Sequence, residues 1–156
     1  MDEQSQWPVP RAGTRSASAI SLLDVGPGDR IIDWYVIFHP REPHAWWVRF
    51  LKQGFRHVDL MRPLKNAWLV LRLDLEILEN HVEFDLTPPW IKYPQATIIK
   101  VQVLMKARKA RRAFHIGPFS CVEFTKAALG INSFLMRTPH QLYHYLKKRN
   151  GVLGVE

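Results

Sequence analysis

Residues 67–77, AWLVLRLDLEI, constrain the fold more than any other stretch of this chain. Leu69, Leu71, Leu73, Leu75 and Ile77 fall on every second position, with Trp68, Val70, Arg72, Asp74 and Glu76 between them. A strand sends successive side chains to opposite faces, whereas a helix brings a face round every three or four residues. A repeat of two therefore commits this segment to a sheet with one leucine-lined face toward a core.

Other segments supply partners for it. Residues 29–40, DRIIDWYVIFHP, are rich in β-branched and aromatic side chains and predict a strand, as do residues 55–61 and 97–105. Residues 82–84 suit a short edge strand ahead of Thr87-Pro-Pro-Trp90. Residues 63–66, PLKN, form a turn, so 55–61 and 67–77 make a hairpin. With Leu64 and Lys65 as the turn pair, Met61 faces Trp68, Asp59 faces Val70 and His57 faces Arg72.

Helical signals lie elsewhere. In residues 44–53, Trp46 pairs with Phe50 and Trp47 with Leu51 at helical spacing, and Gly54 stops the run. Ser120 caps a helix with Glu123 as its box partner and Gly130 as its stop. Thr138 caps a last helix with Pro139 at its first position, Gln141 closing the box and Leu142, Tyr145 and Leu146 as its apolar stripe. The expected fold is α+β over residues 29–150: a small antiparallel sheet packed by C-terminal helices. Residues 1–28, punctuated by Pro, Gly and Ser, read as an extended or disordered arm that a partner orders, and 151–156 as a tail.

The chain has 156 residues, 47% of them hydrophobic, enough for one domain with a real core. Its single cysteine excludes an internal disulfide and any multi-cysteine zinc site, and no cofactor or metal is expected. His140 and His144 lie one helical turn apart, but no third ligand accompanies them. No apolar run is long enough to span a bilayer, and no charged-then-apolar signal layout opens the chain. A net charge of +8 points to an anionic partner. Lys106, Arg108, Lys109, Arg111 and Arg112 crowd five cations into seven residues. They read either as a solvated connection or as a loop that contacts phosphates or an acidic protein, without the aromatics of a base-stacking surface. Trp46 and Trp47 read as core or partner-facing anchors.

Cys121 is the candidate nucleophile. The capping box sets it on the first helical residue, where unpaired N–H groups and the helix dipole favour a thiolate. His57, inside a strand, is the best placed of seven histidines to serve as its base. The competing readings are a small buried residue for Cys121 and a carbonyl-bonded histidine within the sheet for His57.

The order GFRHV, a Trp-led hydrophobic strand, PFSCVEFTKAALGI and TPHQLYHYL, over residues 44–146, resembles small proteins of bacteriophages and prophages. These in turn resemble circularly permuted members of the papain-like NlpC/P60 superfamily. The resemblance implies a papain-like arrangement with the histidine strand first and the cysteine helix last, Cys121 as nucleophile and His57 as general base. It also implies a polar residue that orients the imidazole. In the expected hairpin Arg72 stands where that residue belongs; arginine cannot accept a bond from imidazole, and its charge lowers the ring's basicity. Asp74 is the nearest substitute and a partner for Arg72.

An incomplete triad favours a virion-associated docking protein with weakened or lost catalysis, joined to other virion proteins through residues 1–28. The first alternative is an active amidase or peptidase acting on cell-wall peptide. The second is a basic module that contacts packaged nucleic acid through residues 106–112. All three place the protein in the virion, and in host cytoplasm during assembly.

Overall fold

A six-stranded sheet in the order β4-β3-β2-β1-β5-β6 organises the protein. The computed structural model describes residues 29–40, 50–74, 77–105, 120–149 and 152–154. Its strands are β1 (Arg30–His39), β2 (His57–Leu64), β3 (Ala67–Asp74), β4 (Ile77–Glu83), β5 (Thr97–Met105) and β6 (Val152–Gly154). Its helices are α1 (Pro89–Lys92), α2 (Cys121–Ala128) and α3 (Pro139–Lys148). Every strand pairing is antiparallel except β5 with β6, which is parallel. The result is an α+β fold with an antiparallel sheet and its longer helices near the C-terminus. The arm at 1–28, the basic run at 106–112 and Trp46 and Trp47 lie outside the described residues, as does most of the helix expected at 44–53. Residues 152–154, inside the stretch read as a tail, form β6.

The central hairpin turns one residue later than expected. Lys65 and Asn66 make the turn, so Leu64 faces Ala67 and Met61 faces Val70. A turn displaced by one slides the partners by two, which leaves every side chain on its expected face but changes its neighbour. Pro63 can stand in β2 because two-residue hairpins alternate bonded and non-bonded pairs. Its nitrogen points away from β3, toward the side where pairing with β1 stops at Met61.

Alternation then sorts the core onto two faces. Trp34, Val36 and Phe38 of β1, Val58 and Leu60 of β2, and Val101 and Val103 of β5 pack with Val122, Leu129, Leu142 and Leu146 of the α2–α3 layer. Leu69 and Leu71 join this face, as their leucine repeat foretells. The opposite face is not a solvated one. Ile37, Met61, Trp68 and Val70 form a second buried cluster against Tyr35, Tyr93, Ala96 and Ile98. Trp90 of α1 stacks near Tyr35, at 5.9 Å between centroids, over the same side. The sheet is therefore covered on both sides, because Trp68 and Val70 between the leucines are apolar themselves.

The C-terminal helices begin as their caps dictate. The Ser120 hydroxyl accepts from the Glu123 N–H at 3.3 Å, and Thr138 with Gln141 completes a reciprocal box. Gly130, at φ 68°, ends α2 in a conformation that side chains disfavour. Between the helices, the buried Lys126 ammonium donates to Glu123 Oε1 (2.6 Å) and to the carbonyls of Ser133 (2.7 Å) and Met136 (3.0 Å). Three donors meet three acceptors, and the α2–α3 connection is fastened to α2.

Candidate active site

The site is built where β2 begins. His57 is its first residue, and Asp59, two positions on, shares its face. His39, the last residue of β1, is the register partner of His57. The β2–β3 pairing, continued past Leu60–Leu71, brings Arg72 beside Asp59. Alternation sets His39, Asp59 and Arg72 on the face of Ile37 and Val70, and Asp59 is the centre of the group.

Each Asp59 oxygen has a distinct task. Oδ1 lies 2.8 Å from His57 Nε2. Oδ2 accepts from Arg72 through Nη2 at 2.8 Å and Nε at 3.0 Å. His39 Nε2 is also 2.9 Å from Oδ2, close enough for charge attraction but off the hydrogen-bond direction. The carboxylate is only 2% exposed, so these partners stand in for the water it has lost.

Cys121 comes to this cluster from the far end of the chain. It is the first residue of α2, half-buried, and its thiol lies close enough to His57 to act on the charge of the ring. Because Asp59 holds Nε2, Nδ1 is the ring nitrogen left for sulfur. An ionised carboxylate only accepts, so Nε2 carries a proton, and Nδ1 is free to take one from the thiol.

The electrostatics agree with the geometry. Burial pulls the His57 pKa down, but the hydrogen bonds and charges of Asp59 and Cys121 outweigh it and raise it to about 10. Burial pushes Asp59 up, yet His39, His57 and Arg72 together hold it well below the usual carboxylate range. Arg72, hydrogen-bonded to Asp59, is held more firmly protonated still. The buried Asp59 carboxylate thus favours an imidazolium at His57.

The residues picked out in the sequence fare differently. Cys121 and His57 come together. The place expected for Asp74 is taken by Asp59; the Asp74 side chain lies outside the described residues. Arg72 does not face His57 but grips Asp59, because the turn falls one residue later. Asp59 was legible as His-x-Asp on one strand, a pair that shares a face by alternation alone. Lys106, Arg108, Lys109, Arg111, Arg112, Trp46 and Trp47 lie outside the described residues. Among the described residues, no group of three or more His, Cys, Asp or Glu side chains is gathered for a metal. His140 and His144 do meet, at 2.9 Å between Nε2 atoms, with Lys52 Nζ 2.9 Å from His140. No described helix is long and apolar enough to cross a membrane.

No family model matches this chain, and neither does a curated protein or a solved structure.

Proposed function

We propose that the protein is a thiol hydrolase that attacks an amide or ester carbonyl through Cys121. The observation that carries this reading is the His57–Asp59 hydrogen bond, with the Cys121 thiol brought beside the same ring at the head of α2. His57 takes up the thiol proton ahead of attack and holds it as an imidazolium while the sulfur–carbon bond forms. Asp59 holds the ring in its tautomer and balances the imidazolium charge. The amides that open α2 lie outside the helical ladder and suit the negative oxygen of the tetrahedral intermediate. His57 then returns the proton to the departing amine or alcohol. Water, deprotonated by the same ring, releases the acyl group and restores the thiol.

The expectation of weakened catalysis rested on Arg72 opposing His57. With Arg72 bound to Asp59 instead, that reason is gone, and the active alternative is the better supported. Cell-wall peptide in a phage setting remains the substrate class that the family resemblance suggests.

One cysteine makes the test clean. Iodoacetamide is applied at pH 6, where an ordinary thiol is almost wholly protonated. Native protein should label at least ~10-fold faster than the same chain unfolded in urea, and His57→Ala should remove the advantage. Equal rates for folded and unfolded chain would refute the proposal.

A further inference from the structure

We propose that Arg72 is a positioning residue for this site: it pins the outer oxygen of Asp59 so that the inner one stays on His57, and it matches the carboxylate's charge. The inference rests on the thiol hydrolase reading and adds a residue to it. A buried carboxylate that orders an imidazole has two needs: it must stay ionised away from water, and the oxygen that serves the ring must stay in one place.

One side chain meets both needs. Nε and Nη2 of Arg72 both fall on Oδ2, at 3.0 and 2.8 Å, and none of that fork reaches the Oδ1 that serves His57. Two donors converging on one oxygen hold it in place more firmly than a single point charge does. The arginine is itself anchored. β3 lies between β2 and β4, and Glu79 of β4 is its register partner.

The titratable and charged groups around Asp59 come from every neighbouring element: His39 of β1, His57 of β2, Arg72 of β3 and Tyr93 after α1. Glu79 of β4 adds its charge to Arg72, and Cys121 of α2 stands behind His57. Arg72 is the one permanent cation among them. His39 is at ion-pair distance, but a ring off the bond direction cannot replace the fork.

The experiment follows the His57 ring by NMR from pH 5 to pH 11 and the rate of Cys121 alkylation by iodoacetamide at pH 6. It compares full-length wild type, Arg72→Gln and Arg72→Lys, with a urea melt for each. Arg72→Gln should move the His57 titration upward by ~0.5 unit or more and slow alkylation about tenfold. Arg72→Lys keeps the charge and loses the fork. It should leave the titration in place, yet slow alkylation about threefold.

A purely structural ion pair would change only the melts, and that result overturns the inference. Should Arg72→Gln fail to fold, wild-type alkylation in the lysine variant overturns it alone. Wild type that labels no faster than unfolded chain sinks the hydrolase reading and this inference together. Fast wild-type labelling with indifferent Arg72 variants removes this inference and leaves the hydrolase standing.

Discussion

Lys126 and Asp59 are sealed from solvent to almost the same degree, at 3% and 2% exposure, yet they are satisfied in opposite ways. The ammonium of Lys126 ends on two main-chain carbonyls and one carboxylate. The carbonyls neither titrate nor move away, so its charge is locked into the chain's path between α2 and α3. The carboxylate of Asp59 ends on three side chains, two of them imidazoles, and through one of those it reaches a thiol at the edge of solvent. A buried charge closed off by backbone serves shape. A buried charge passed along titratable groups to a half-buried thiol is the kind that the proposed chemistry would use.

That contrast can be broken most sharply at Cys121. Replacing it with Ala should abolish thiol-dependent hydrolysis by at least ~10³-fold while leaving stability within about 1 kcal/mol, since the side chain is small and only half-buried. A variant that still hydrolyses substrate would put the chemistry elsewhere. Lys126→Met should do the reverse. It strands the carbonyls of Ser133 and Met136 and should cost about 2–4 kcal/mol in urea unfolding, with alkylation of the surviving folded protein nearly unchanged. A small loss of stability would show that the lysine is not the fastening described above.

The two sites should also differ in their response to pH. The folded-state pKa of His57 is raised from 6.5 to about 10, so its contribution is complete below pH 6.5 and lost as pH climbs toward 10. The free energy of unfolding should fall across that interval, by on the order of a few kcal/mol. Asp59 is lowered, so its own share is present above about pH 4 and declines as the solution is made more acid. Asp59→Asn should flatten the alkaline slope; a slope that persists would assign it to another group. The smallest effect belongs to the cap of α3. Thr138→Ala should cost about 1 kcal/mol and leave the His57 titration where it is.

Much of this architecture could be read from the chain before any coordinates. The leucine alternation in β3, the β-branched run in β1 and the two capped helices declare themselves locally, since strand parity and helix capping are decided within a few residues. The hairpin partners were harder. A turn of Lys65 and Asn66 in place of Leu64 and Lys65 slides every pair by two, and Pro63 looks like part of a turn although it ends up in the strand. That single slip hid Asp59, because a search across the hairpin from His57 arrives at Arg72 on the wrong register. The second core on the far face was hidden for another reason. Trp68 and Val70 are interrupted by Arg72, and only α1 and Tyr93, distant in sequence, reveal that the face is covered.

The placement of Cys121 at the head of α2 has a consequence for the order of events in the cell. His57 and Asp59 ride one strand and emerge early from the ribosome, while the sulfur follows only after β5 has been made. Until the late helix docks, the thiol has no neighbouring base and behaves like any free cysteine in a growing polypeptide. On the proposed reading, the speed at which a mild alkylating reagent finds that one sulfur becomes a clock for the docking of the late helix.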